Sequence, residues 1–325
     1  MQTRQLGRTD LHITAIGFGA WAIGGEWRFG WGPQDDADSI AAIRQAVARG
    51  MNWIDTAPAY GLGHSEQVVA RALADIPTAE RPYVFTKCTL VWGDDRVVRH
   101  DVSGPSIRRE VEDSLRRLQV ETIDLYQMHW PRWASQAEPS PGSVAEAWET
   151  LADLQRQGKV RHIGVSNFTV DDLKTAQAIA PIASLQPPYS MLRRAIEPEI
   201  LPYCAEHGIG VLVYSPMLSG LLTGAMTRER VATLPAGDWR RNNKEYQEPQ
   251  LSANLALVEV LKAVGAPHGK SAGEVAIAWT LRHPAVTAAI VGGRSAAQVD
   301  GVVGAADFRL SEAELARIDE ALPRA

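Results

Sequence analysis

Eight short apolar runs recur between Ala15 and Val291, each separated from the next by a longer stretch with helical spacing, and this alternation constrains the fold more than any other feature. The runs are Ala15 to Gly19, Asn52 to Asp55, Tyr83 to Lys87, Ile123 to Met128, His162 to Val165, Ser184 to Gln186, Val211 to Tyr214 and Ala288 to Val291. Between them apolar residues return every three or four positions, as in Ile40, Ile43 and Val47, in Val111, Leu115 and Leu118, and in Trp148, Leu151 and Leu154. Such stripes are packing faces. Ser106 is placed at the opening of a helix, and Gly50, Gly158 and Gly208 each stand between a helix and the following strand.

Eight strand and helix pairs with no break in composition predict a single (β/α)8 TIM barrel domain over residues 1–325. The competing α/β fold, a doubly wound sheet, usually has fewer strands and opens on a Gly-rich turn. Gly17-Phe18-Gly19-Ala20-Trp21-Ala22 lacks the third glycine of that turn, so a dinucleotide would bind here without it. Arg8-Thr9-Asp10 reads as the turn of a short N-terminal β-hairpin. Three connections are long: Trp21 to Asp35, Cys88 to Gly104 and Met217 to Gln250. They follow strands one, three and seven, on the face where barrels build their chemistry. The third, with Trp239, Arg240, Arg241 and Tyr246, is expected to be a mobile flap.

Apolar residues make up 45% and charged residues 22%, which is the balance of a folded chain rather than a disordered one. Thirty-three Lys and Arg against 38 Asp and Glu leave a net charge of −5 with no basic stripe, which argues against nucleic acid as a partner. Cys88 and Cys204 are too few and too far apart for a disulfide framework or a metal site. The apolar stretch Leu11 to Gly25 carries His12, Gly17, Gly19 and Gly24 and reads as a strand, not a leader. No window reaches the roughly 18 apolar residues that cross a bilayer, so a membrane is not expected as a partner and a cytoplasmic location is. Nothing in the sequence sets an oligomeric state.

Polar side chains at the C-terminal ends of barrel strands are costly to bury unless they are paired. Asp55 ends the second strand, Tyr60 follows five residues later, Lys87 ends the third strand, and His129 follows the fourth. Neighbouring strands bring these four toward one mouth. Each also has a plainer reading alone: a carboxylate capping its loop, a packed phenol, a hydrogen-bonded core imidazole. Lys87 is harder to explain so, because the chain has six lysines against 27 arginines and this one ends an apolar strand. Asp55 would supply its counter-charge. A phenol beside an ammonium and an imidazole is expected to have its pKa, about 10 in water, lowered toward the working range of a general acid.

The segment Gly50-Met51-Asn52-Trp53-Ile54-Asp55-Thr56-Ala57-Pro58-Ala59-Tyr60-Gly61, with Ser65-Glu66 after it, resembles the hallmark of the aldo-keto reductase superfamily. The likeness continues in Phe85-Thr86-Lys87, in Asp124 to Pro131, in Gly164 to Phe168, in Tyr214-Ser215-Pro216, in Gly220 to Gly224 and in Gly292-Gly293-Arg294, spanning about residues 3 to 318. It implies a barrel enzyme that transfers a hydride from NADPH to a small-molecule aldehyde or ketone. By position, Tyr60 would donate the proton, His129 orient the carbonyl, and Lys87 paired with Asp55 tune the phenol. Ser166, Asn167 and Gln186 would hold the carboxamide of NADP(H), and Tyr214 would stack on its ring. The run containing Ser215, Leu218, Gly220 and Leu221 would offer backbone amides to the pyrophosphate, with Gly292 nearby. Arg294 would pair with a 2′-phosphate and Gln298 would touch the adenosine. Gly301 and Val302 depart from the usual Glu and Asn, which weakens the adenine contacts. Trp21, Trp27, Trp92 and Trp130 are the candidate substrate contacts, suited to an aromatic, sugar-like or polycyclic carbonyl. Two other readings remain open: a Schiff-base aldolase using Lys87, and an NADPH-holding sensor or channel-associated subunit.

Overall fold

The computed structural model describes residues 1–27, 29–133, 139–235 and 237–322. An N-terminal hairpin, β1 (Thr3–Gln5) and β2 (His12–Thr14), precedes β3 (Ile16–Gly19) and β4 (Trp53–Asp55). Then follow β5 (Tyr83–Cys88), a second hairpin of β6 (Leu90–Trp92) and β7 (Val98–His100), β8 (Ile123–Met128) and β9 (Val160–Ser166). β10 (Ser184–Gln186), β11 (Gly210–Val213) and β12 (Ala288–Gly292) complete the set. Strands β3, β4, β5 and β8 to β12 form a closed parallel barrel, with β12 paired to β3. The expected TIM barrel is therefore present, and all eight expected strands lie in it.

Helices α1 (Asp36–Ala48), α2 (His64–Leu73), α3 (Gly104–Leu118), α4 (Val144–Arg156), α5 (Val170–Gln177) and α6 (Ile200–His207) follow successive barrel strands. The long connection after β11 holds α7 (Arg228–Ala232), α8 (Gln250–Gly265) and α9 (Ala272–Leu281), and α10 (Ala296–Val303) and α11 (Glu312–Ala321) follow β12. Helix α3 begins two residues before the expected Ser106, with Ser103 at its N-cap; the Ser106 hydroxyl instead donates to Glu110 Oε1 within the helix. The connection after β11 is packed down, because buried Tyr246 donates its hydroxyl to the carbonyls of Leu218 and Ser219. Among the described residues no helix is long and apolar enough to cross a membrane.

The two-residue period of the strands sorts the interior into layers. Trp53, Phe85 and Leu125 face inward as an apolar floor, and the N-terminal hairpin plugs the barrel beneath them with fully buried Leu6, Leu11 and Ile13. Two residues further along each of those three strands stand Asp55, Lys87 and Gln127, which form a polar upper layer. The outward residues Ile54, Val84 and Tyr126 pack under the helices. Gly17 makes room for the floor, since a Cβ there would lie 2.1 Å from Cε2 of Trp53.

Candidate active site

Strand register explains why residues far apart in sequence meet. Lys87 pairs across the sheet with Gln127, and Gln186 with Ser166, so their side chains share one level above the floor. Lys87 Nζ donates to Asp55 Oδ1 at 2.5 Å, to the Thr56 carbonyl at 2.9 Å and to Tyr60 Oη at 3.5 Å. Asp55 Oδ2 accepts from the amides of Gln186 at 2.8 Å and Gln127 at 3.1 Å. The ion pair is almost wholly buried, and every oxygen of the carboxylate has a donor. Above it, the Tyr60 and His129 rings stand edge to face, with centroids 5.8 Å apart. Gly61 holds the tyrosine loop against the first long loop, its φ of +65° and missing Cβ allowing close approach to the Gly24 carbonyl.

The charges arrange themselves differently from the expectation for Tyr60. Burial first, and then the Asp55 carboxylate, push its phenol well above the ordinary value. Asp55 takes up most of the influence of the ammonium, so the phenol is not drawn down; it is kept protonated. Burial also draws Lys87 down, opposed by Asp55. His129 is held well below its usual value by burial, with Lys87 and His100 adding to the effect, so it stands as a neutral imidazole. Its Nδ1 is buried with no partner among the described residues. A neutral phenol and a neutral imidazole thus face the mouth over an internally compensated ion pair.

The expected cofactor contacts divide into three kinds. Asn167, at φ +62°, donates to the Ser166 hydroxyl and to the His129 carbonyl, and accepts from the Tyr214 hydroxyl at 2.9 Å. That chain of bonds fixes the Tyr214 ring beside an amide and a hydroxyl at the ends of β9 and β11. Gln186 by contrast spends its amide protons within the polar layer, on Asp55 and Gln127. Met217 (φ −96°, ψ 11°) is followed by Leu218, Ser219 and Gly220 at positive φ, with Ser215 also at positive φ, and the change of hand at Met217–Leu218 is the backbone of an anion-binding nest. The side chains of Leu218 and Leu221 are buried in the core, so only their backbone can face a ligand. Gly292 is exposed at the end of β12, where an added Cβ would meet only the Gly19 carbonyl at ordinary contact distance. Together these groups suit a nicotinamide ring with its amide and a pyrophosphate.

Arg294 is engaged elsewhere. Its guanidinium donates to Gln34 Oε1 and the Pro33 carbonyl, both at 2.5 Å, and to the Trp31 carbonyl at 3.5 Å. Gln298 accepts from the Arg294 backbone amide. The first long loop is thus clasped to the end of β12, a contact between residues 260 positions apart that no sequence pattern signals. Trp21, Trp31 and Trp239 pack together over this clasp, with the Arg240 guanidinium 4.4 Å above Trp31.

A second aromatic group lines the mouth. Trp27 lies 6.1 Å from Tyr60, Phe29 5.5 Å from Trp27, Trp133 6.1 Å from Phe29, and Trp130 5.7 Å from Trp133. Trp27 and Trp130, both expected as substrate contacts, fall in this group, and Phe29 joins them unforeseen. Trp92 does not. It lies on the β6–β7 hairpin against the Arg117 guanidinium, which is bound to buried Glu66. Gln127, which holds Asp55, is the other residue missed; only its inward position two places after Leu125 could have shown it. Among the described residues no cluster of His, Cys, Asp and Glu could hold a metal ion.

Residues 15–323 match the model of the aldo/keto reductase family. The chain is 37% identical to the aldo-keto reductase YhdN of Bacillus subtilis (strain 168), over 93% of this chain and 88% of that one. It is 35% identical to the NADH-specific methylglyoxal reductase of Escherichia coli (strain K12), over the full length of both. The solved structure of a glycerol dehydrogenase from Gluconobacter oxydans superposes with a TM-score of 0.87 at 38% identity, covering 99% of this chain and 95% of the other. A tyrosine, a histidine and a buried lysine–aspartate pair at the open end of a parallel barrel accord with that match, and the chain belongs to the aldo/keto reductase family of oxidoreductases.

Proposed function

We propose that this chain reduces the carbonyl group of a small aldehyde or ketone to an alcohol, using NADPH, with Tyr60 as the proton donor. The observation that carries the reading is the protonated Tyr60 hydroxyl held 3.5 Å from Lys87 and flanked by the edge of His129. When bound, the reduced nicotinamide supplies a hydride to the carbonyl carbon. Negative charge then develops on the carbonyl oxygen, and two neutral donors aimed at one point stabilise it where it forms. Tyr60 gives up its proton as that charge grows, and the ammonium of Lys87 stabilises the phenolate left behind. His129 orients the oxygen. Asp55 keeps Lys87 in place, with Gln127 and Gln186 donating to the carboxylate. In the reverse direction Tyr60 acts as the base.

Ser166 and Asn167 are assigned to the carboxamide, Tyr214 to the ring face, and the Ser215 to Leu221 backbone to the pyrophosphate. NADPH is preferred over NADH on the strength of Arg294 and Gln298, although the relative from Escherichia coli is named NADH-specific. Trp27, Phe29, Trp130 and Trp133 give the substrate an apolar aromatic wall. The aldolase reading is not favoured: Lys87 is fully buried and bound to Asp55, which leaves its nitrogen no open path to a carbonyl. Buried unbridged Cys88 and Cys204 suit a cytoplasmic setting.

Tryptophan fluorescence titrated with NADPH and then NADH, followed by absorbance assays against aldehydes and ketones, tests the proposal. Saturable quenching with turnover supports it. Quenching without turnover of any carbonyl would favour a sensor, and no response to either nucleotide would overturn the reading.

A further inference from the structure

Behind the upper layer, on the outer face of β5, lies a buried carboxyl that the mechanism does not use. Glu110, on α3, is 7% exposed and has no ion-pair partner among the described residues. Its Oε2 accepts the backbone N–H of Thr89 at 2.8 Å, and its Oε1 accepts the Ser106 hydroxyl at 3.1 Å. Thr89 is fully buried and sits at φ +79°, a left-handed conformation that a β-branched residue adopts only where its surroundings impose it. The Glu110 bond is part of that imposition.

The Cys88 carbonyl and the Thr89 N–H belong to one planar peptide unit and point in opposite directions. Glu110 holds one end. The other end accepts the backbone N–H of His129 at 3.1 Å. The Thr89 hydroxyl then reaches the Trp130 carbonyl at 3.4 Å, which His100 Nε2 also contacts at 2.9 Å. The residue before this peptide unit is Cys88 and the one before that is Lys87. One rigid plane therefore ties helix α3 to the backbone of His129 and to the end of the strand that carries Lys87.

We propose that Glu110 is a positioning residue for His129, holding the Cys88–Thr89 peptide in the orientation that fixes the imidazole over Tyr60. A neutral carboxyl suffices for this, and burial pushes the Glu110 carboxyl up to about 8. Glutamine, with a carbonyl oxygen at the same reach, should therefore replace it. Alanine should not, since it leaves the Thr89 N–H without an acceptor and frees the peptide to rotate.

This proposal rests on the reductase reading, so its test has a readout that does not depend on turnover. Glu110→Ala and Glu110→Gln are compared by hydrogen exchange at the amides of residues 87–90 and 129–131 and by steady-state kinetics. In Glu110→Ala the His129 amide should exchange about tenfold faster or more, and kcat should fall by about ten- to a hundredfold, as a displacement near 1 Å would cause. The NADPH dissociation constant should stay within about twofold. Glu110→Gln should restore both. A role confined to stability would lower the melting temperature while leaving kcat per folded molecule unmoved. Unchanged exchange at His129 in Glu110→Ala, or Gln behaving as Ala, would overturn the proposal. If Glu110→Ala does not fold, Glu110→Leu fills the volume without an acceptor and is read in the same way. Should wild type reduce no carbonyl at all, a change in exchange would still establish the link to His129, while the reductase reading alone would fail.

Discussion

Replacing Glu110 by Gln should make the protein more stable at alkaline pH and leave its stability at pH 4 to 5 nearly unchanged. Desolvation is the leading cause of the raised value, opposed by the Thr89 amide and the Ser106 hydroxyl and increased by Asp101. The native carboxyl titrates at about 8, against an ordinary 4.5. Between those values the folded state keeps a proton that the unfolded chain releases. Unfolding is therefore favoured as pH rises, and the wild-type contribution is complete below 4.5 and lost on passing through 8. The slope is about 1.4 kcal/mol per pH unit. From pH 5 to pH 8 the difference between variant and wild type should accordingly grow by roughly 4 kcal/mol and then level off. Other titrating groups are common to both proteins and cancel in the difference. Urea unfolding of the pair at pH 5, 6, 7 and 8 reads the quantity directly. A difference constant to within about 0.5 kcal/mol across that range would show that Glu110 ionises normally and that its burial has been misjudged.

Tyr60→Phe should reduce kcat by roughly a hundredfold or more, the usual contribution of a positioned proton donor, with NADPH binding by fluorescence nearly unchanged; a fully active variant would remove Tyr60 from the acid role. Arg294→Ala should raise the NADPH dissociation constant about tenfold more than that for NADH, the effect of a lost charge-assisted contact near 1.5 kcal/mol. Equal losses for both nucleotides would confine Arg294 to the clasp of the first loop and end its 2′-phosphate role. Gly17→Ala should cost about 1–3 kcal/mol in urea unfolding by forcing a methyl group into the Trp53 indole, and pairing it with Trp53→Phe should recover part of that loss. Additive losses in the double variant would refute the clash.

The barrel strands are legible because most of their residues are buried on both faces, so that they read as short, largely apolar runs at regular spacing. Asp55 and Lys87 stood out for the same reason, as charges closing strands that have no room for a lone charge. Their convergence with Tyr60 and His129 then follows from the adjacency of successive strands, whereas the bond from Gln186 to Asp55 appears only in the structure. The β6–β7 hairpin escaped notice because three-residue strands carry too little alternation to be separated from a loop. The direction of the Tyr60 pKa is not legible in the sequence because it is set first by complete burial of the phenol and then by the nearby Asp55 carboxylate, neither of which residue type reveals. Trp92 was grouped with the other tryptophans by its loop, yet which face a hairpin turns inward is a property of the packed structure. The Arg294 clasp left no local trace of any kind.

Closure of the barrel by β12 against β3 has a consequence for how the chain is made. Those two strands are joined by four register pairs, from Ala289 with Ile16 to Gly292 with Gly19, and nearly the whole sequence lies between them. During synthesis β3 is made before β12 and must keep one edge unpaired until β12 has left the ribosome. Its residues Ile16 and Phe18 are fully buried once the seam closes and open to strangers before then. The first of the eight barrel strands to be made is thus sealed by the last of them, and truncation anywhere before Ala288 should leave an open, adhesive sheet in place of a smaller enzyme.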